Sequence, residues 1–183
     1  MSSMQKAKQR MESALESLRR EFGGVRTGKA SPALLDTVRV EAYGSRVPLN
    51  QVGTVSAPEP RMLTIQPWDR SLMKDIERAL RESDLGVNPN SDGSTIRLNL
   101  PQLTEERRKD YIRLARGKAE DGRISVRNIR RRAKEELDRI VKDGEAGEDE
   151  VTRAEKELEK TTAQYVSSVD ELLRHKEAEL LEV

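Results

Sequence analysis

Along the first 25 residues the apolar positions fall at Met4, Ala7, Met11, Ala14, Leu15, Leu18, Phe22 and Val25. That spacing of three and four marks one face of a helix. Gly23 and Gly24 weaken its end by up to about 1 kcal/mol each relative to Ala, and the cluster Gly28-Lys-Ala-Ser-Pro32 stops it. The period then changes. Val38, Val40 and Ala42 alternate with Arg39, Glu41 and Tyr43, and Ile96, Leu98 and Leu100 alternate with Arg97 and Asn99, so both segments read as half-buried strands. Between them Pro48, Pro58, Pro60 and Pro67 punctuate short strands such as residues 61–66. One helix is predicted over 71–84, with Leu72, Ile76, Ala79 and Leu80 on a face and Gly86 closing it. Asn88-Pro-Asn-Ser-Asp-Gly93 reads as a turn by composition.

After Pro101 the helical period returns and persists. Thr104-Glu-Glu supplies an N-cap and first-turn carboxylates, followed by apolar or small residues at 112, 115, 119, 122, 126, 129, 133, 137 and 140. A helix over 104–143 would run for about 60 Å at about 1.5 Å per residue. Gly144-Glu-Ala-Gly147 breaks it, and Glu148-Asp-Glu opens a third helix with Val151, Ala154, Leu158, Thr162, Tyr165, Val169, Leu172, Lys176 and Leu180 in its stripe. So short a turn makes the last two helices antiparallel neighbours.

Three helices with one apolar stripe each close a single bundle, because none can bury its stripe alone. The expected fold class is therefore α+β with two domains. Residues 1–29 and 104–183 form an antiparallel three-helix bundle, and residues 32–102 form a small β/α/β domain inserted between its first two helices. The linkers, 27–32 and 100–103, are hinge candidates. Thr27, Gly28, Ala30, Ser31 and Pro32 make one, and Pro101, Gln102 and Leu103 the other. Gly28 permits large backbone changes, while Pro32 and Pro101 fix the chain direction.

Composition narrows the chemistry. Charged residues make up 37% of the 183 and apolar residues 34%, which suits long thin helices better than a thick layered core. With no Cys and one His there is no disulfide framework, thiolate metal site, cysteine nucleophile or histidine relay. No catalytic constellation is found and no cofactor is expected. No apolar run nears the roughly 18 residues of a membrane span, and the start lacks a signal-like stretch, so a soluble cytoplasmic protein is expected.

The net charge of +1 conceals a strong segmentation: +4 over residues 1–29, −1 over 30–103, +5 over 104–143 and −7 over 144–183. The basic excess has a shape. Arg116, Arg123, Arg127, Arg130 and Lys134, spaced 7, 4, 3 and 4, form one ridge beside the apolar stripe of the second long helix, and Arg131 and Arg132 widen it. Solvated helix faces commonly interleave Glu with Lys, but residues 125–134 contain no acid at all. Arg also predominates over Lys, which suits phosphate through its planar fork. Two readings stand: a surface for RNA or another polyanion, and a solvated or helix-pairing face.

Other motifs carry less. Gly23-Gly-Val-Arg-Thr-Gly-Lys29-Ala30 is one residue from a phosphate-binding loop, but Ala30 replaces the hydroxyl that would hold magnesium, and a helix rather than a strand precedes it. It reads as a helix end and hinge. His175 between Arg174 and Lys176 reads as a surface side chain, and Trp68 after Pro67 as a packing anchor at a strand end.

Five segments in order carry a resemblance: Arg26-Thr-Gly-Lys-Ala-Ser-Pro32, Asp84-Leu-Gly-Val-Asn-Pro-Asn-Ser91, Ile96-Arg-Leu-Asn-Leu-Pro101, Leu103-Thr-Glu-Glu-Arg-Arg-Lys109 and Val126-Arg-Asn-Ile-Arg-Arg131. From end to end the chain resembles the ribosome recycling factors. It departs at Lys29, where Arg is commoner, at Gln102, where Pro is usual, and at Arg132, where Asp is typical; the last makes the ridge more basic. The resemblance implies an L-shaped molecule that binds large-subunit ribosomal RNA through its bundle. It also implies that, with elongation factor G, the chain promotes dissociation of the post-termination ribosome into subunits. GTP hydrolysis would belong to that partner, and this chain would be a non-catalytic monomer. Carried over by position, the RNA-contacting residues would be Arg26, Lys29, Arg127, Arg130 and Arg131, to which the ridge adds Arg123. A helical adaptor without an RNA role is the competing class.

Overall fold

The computed structural model describes residues 2–25, 27, 29–83 and 85–182. Helix α1 (Ser3–Gly23) buries Ala7, Met11, Leu15, Leu18 and Phe22, the predicted stripe; Val25 is also buried but lies past the helix end. Helix α3 (Glu105–Lys142) buries Ala115, Ala119, Val126, Ala133 and Leu137, and α4 (Glu148–Leu181) buries Val151, Leu158, Thr161, Thr162, Val169 and Leu180. Two apolar clusters result. Ala7, Met11, Val126, Ala133, Leu137, Val151 and Leu158 form one; Leu15, Leu18, Phe22, Ala115, Ala119 and Val169 form the other. Small residues on α3 bring the helices close: a Cβ on Gly122 would lie 3.4 Å from Leu18 Cδ2, in ordinary contact.

Both ends of α3 carry the signals read from sequence. The Arg107 amide donates to Thr104 Oγ1 at 3.1 Å, so Thr104 caps the first turn. At the other end Gly144 takes φ 70°, and the amides of Gly144 and Glu145 donate to the carbonyls of Val141 and Ile140 at 3.0 Å each. Within α3, a Cβ on Gly117 would meet nothing within 4 Å. Gly117→Ala is therefore expected to stabilise the protein by about 1 kcal/mol, read as a rise in Tm of roughly 2–4 °C.

Between α1 and α3 lie the strands. β1 (Arg39–Ala42) pairs antiparallel with β2 (Ser45–Pro48) across a turn in which Tyr43 and Gly44 take φ 52° and 82°. Positive φ at both centres matches the twist of a two-residue hairpin, and Tyr43 is strained there. Strands β3 (Gly53–Glu59), β4 (Met62–Pro67), β5 (Pro89–Ser91) and β6 (Ile96–Asn99) form an antiparallel sheet in the order β3-β4-β6-β5. Helix α2 (Met73–Glu82) packs Ile76 and Leu80 into a core with Leu63, Ile65, Ile96, Leu98 and Val40.

Three expectations need correction. Residues 88–93 are not all turn: 89–91 form β5, with Pro89 at its first position and on a sheet edge, where a missing N–H is tolerated. Helix α2 begins later than predicted because Asp69 Oδ1 accepts from the Ser71 amide at 2.9 Å and caps a separate tight turn, Arg70–Leu72; Asp84, its predicted end, lies outside the described residues. Trp68 is 64% exposed rather than a packing anchor. It follows the outward-facing Gln66 in the β4 alternation, and its Nε1 donates to Thr54 Oγ1 at 2.9 Å.

Asp69 also accepts from the Tyr43 hydroxyl. The bonds from Tyr43 and then Ser71 hold its carboxyl below the usual carboxylate range, and the same pairing raises the Tyr43 phenol. A lowered folded-state pKa stabilises the fold above the ordinary carboxylate value, and that stabilisation is lost as pH falls through the lowered one. Tyr43→Phe is expected to move the Asp69 titration back up toward its ordinary value, followed by NMR of the carboxyl carbon.

By proximity the chain divides into two units, Met1–Phe22 with Ile112–Ala178, and Gly23–Tyr111 with Glu179–Val183. Residues 23–29, 104–111 and 179–183, expected with the bundle, fall in the second unit by this division. Within the second unit, both ends of the expected insertion are tied to one hairpin turn. The Ala30 amide donates to the Pro60 carbonyl at 2.6 Å, and the Leu100 amide to that of Arg61 at 2.8 Å. Ser31 Oγ caps the helical turn Pro32–Leu35 by accepting from the Ala33 amide at 3.3 Å.

Candidate nucleic-acid interface

Between residues 116 and 131 of α3, partners distinguish two rows of arginines. Arg116, Arg123 and Arg130, seven residues apart, lie on the edge facing α4 and pair with it as rungs. Arg116 Nε reaches Glu177 at 2.6 Å, Arg123 reaches Asp170 at 2.7 Å, and Arg130 reaches Glu159 at 3.0 Å. The acidic excess of the last forty residues is in part the counter-charge for this edge.

The rungs differ in strength. Arg123 is only 19% exposed at its side chain and also bonds Glu120 at 3.0 Å. Partial burial works against its charge, but the bonds from Asp170 and Glu120 outweigh that and hold the guanidinium more firmly protonated than usual. Structurally, Arg123 holds helices together. Among the described residues Arg130 is paired with one carboxylate, on the exposed Glu159.

One step further out, Arg127 is 54% exposed and has Glu120 only at 3.8 Å. Arg131 is exposed and donates to Asn128 Oδ1 at 2.9 Å, a neutral acceptor. Arg132 and Lys134 are exposed and, among the described residues, have no ion pair. Residues 127, 131 and 134 share one face of the helix within the acid-free stretch, at the spacing of i,i+4 and i,i+3 neighbours. Exposed guanidinium groups held by no more than a loose carboxylate or a neutral acceptor suit a line of phosphates.

The remaining predicted residues fall elsewhere. Lys29 is exposed, with its Nζ 3.5 Å from Glu182. It lines a cavity of about 700 Å³ with Thr27, Ser31, Arg61, Gln102 and Leu103. Thr27 Oγ1 accepts from the Lys29 amide at 3.3 Å. Ala30 packs against the sheet core and Leu103 is buried. Arg26 and Gly28 lie outside the described residues. His175 is exposed, as read from its neighbours. No helix among the described residues is long and apolar enough to cross a membrane.

The sequence pattern of the ribosome recycling factor family matches residues 18–181. The chain belongs to the ribosome recycling factor family. Its relatives confirm the extent of the match. The ribosome-recycling factor of Kineococcus radiotolerans is 60% identical over 177 residues, covering 97% of this chain and 96% of that one. That of Streptomyces avermitilis is 54% identical with the same coverage. A solution structure of a ribosome recycling factor superposes with a TM-score of 0.78 at 41% identity, over 99% of this chain and 96% of the other. A second match, at TM-score 0.68, 45% identity and full coverage of both chains, comes from models for the T. thermophilus ribosome recycling factor and the E. coli elongation factor G bound to the E. coli post-termination complex. The family's helical bundle with a small antiparallel sheet unit is the α+β fold read from the sequence.

Proposed function

We propose that this chain splits the post-termination ribosome into subunits together with elongation factor G and GTP, holding large-subunit ribosomal RNA with the outer face of α3. The observation that carries the RNA assignment is the row of exposed cations at Arg127, Arg131 and Lys134, with exposed Arg132 beside it, in a stretch of ten residues without a carboxylate. Phosphate contacts of this kind position a protein on folded RNA without reading its sequence. A related structure places a recycling factor with elongation factor G on a post-termination complex, which supports the same partner here.

In this mechanism the three-helix bundle is the fixed element, and the inserted α/β domain, residues 32–102, is displaced by the GTPase about the linkers 27–32 and 100–103. Ala30 and Leu100 are tied to the Pro60–Arg61 turn, and Ser31 caps the turn Pro32–Leu35, so these linker residues would move with the sheet. The chain itself carries out no covalent step; GTP hydrolysis takes place on the partner, in the cytoplasm where the ribosomes work.

The test is light scattering of purified post-termination ribosomes. Splitting is expected only when this chain, elongation factor G and GTP are all present. Full splitting by the GTPase alone, or none with all three, overturns the proposal.

A further inference from the structure

The two rows of α3 are not electrostatically independent, because a carboxylate on α4 stands at their border. Glu159 is 61% exposed, lies 3.0 Å from Arg130 and lines a shallow groove of about 390 Å³ that also includes Lys134 and Glu155. Of the three rungs, this is the one with Arg127, Arg131 and Lys134 within four residues of its arginine. Arg127 is three residues before Arg130, and Arg131 and Lys134 are one and four after it, so a phosphate drawn to the outer row arrives beside the Arg130 guanidinium.

We infer that Glu159 is an internal stand-in for phosphate: it occupies Arg130 in the free protein, gives it up to the RNA backbone on binding, and thereby limits affinity. This rests on the RNA reading of α3 given above. Chemistry favours the exchange. An exposed carboxylate–guanidinium pair is weak, screened and entropically costly to hold, whereas a phosphate accepts two parallel bonds from the same fork and releases counterions from the RNA. The same exchange is closed to Arg123, which is more deeply set and held by two carboxylates at 2.7 and 3.0 Å. Arg116 lies outside the acid-free stretch, and its partner Glu177 is only 26% exposed. Glu159 is thus a positioning residue for RNA binding that touches no RNA. It keeps a factor that must leave the ribosome from binding it too tightly.

The experiment is a double-mutant cycle on bacterial large ribosomal subunits at fixed salt, with Glu159→Gln, Arg130→Gln and the pair, and with Arg127→Gln and Arg131→Gln as references. Glu159→Gln is expected to tighten binding about three- to fivefold, an effect of the size of one exposed ion pair, and to lose that gain in the Arg130→Gln background. An equal gain in both backgrounds means a general charge effect and overturns the inference. So does an unchanged or weaker affinity of Glu159→Gln while the reference variants bind less well, an outcome that leaves the RNA reading standing. If neither reference variant nor Arg130→Gln alters binding, the RNA reading itself falls.

Discussion

Arg127→Glu combined with Arg131→Glu is expected to weaken association with the large subunit by at least about a hundredfold and to abolish splitting, while the protein keeps its fold. Each reversal removes a phosphate partner and installs a repulsive charge, and each lost contact lowers the slope of log K against log salt by about 0.7–0.9. Neither side chain supports the bundle. Arg127 has one loose carboxylate at 3.8 Å, and Arg131 holds an amide oxygen, so Tm should move by no more than a few degrees. Arg123→Glu is the informative contrast. It would set a carboxylate against Asp170 and Glu120 and destabilise the helix pairing before any RNA is present. Unaltered ribosome affinity in the outer-row double variant would remove the cationic face from the mechanism.

The second large effect concerns stability. Leu98 is fully buried and pairs across the sheet with Leu63, also fully buried. Leu98→Ala is expected to cost about 2–5 kcal/mol through lost burial and the cavity left behind. That loss should be confined to one unit, because the sheet core and the two bundle clusters share no residue. The chain's single tryptophan, Trp68, lies in the sheet unit and reports it by fluorescence, while the far-ultraviolet helical signal is dominated by α1, α3 and α4. The fluorescence transition should move down by roughly 10 °C or more for a unit of this size, with the helical transition nearly unmoved. Coincident shifts of both signals would mean one cooperative block.

What could be read from the sequence followed the strength of the periodic signal. The stripes of α1, α3 and α4 repeat for many turns, so their buried sets were predictable almost residue by residue, and Thr104 and Gly144 marked both ends of α3. Short strands offer only two or three alternations. β3 and β5 were further obscured by Pro58 and Pro89, which sit on sheet edges where the ladder does not need their amides. Trp68 misled because an exposed tryptophan is uncommon, and its tie to Thr54 depends on the β3–β4 register.

At the interface, the absence of acids from 125–134 was visible in the sequence, and the outer row follows from it. The division of labour within the ridge was not, since Arg123 and Arg130 are distinguished by carboxylates forty-seven and twenty-nine residues away on α4. The seven-residue spacing of Arg116, Arg123 and Arg130 was the available signal for rungs between antiparallel helices.

The Pro60–Arg61 turn accepts backbone bonds from both Ala30 and Leu100. The segment 30–100 therefore has both ends bonded to adjacent peptide groups, the geometry of a cassette. A polypeptide of residues 30–100 carries its whole core and needs no long bridge to circularise, and the same closeness would let evolution or an engineer exchange the cassette without rebuilding the helices.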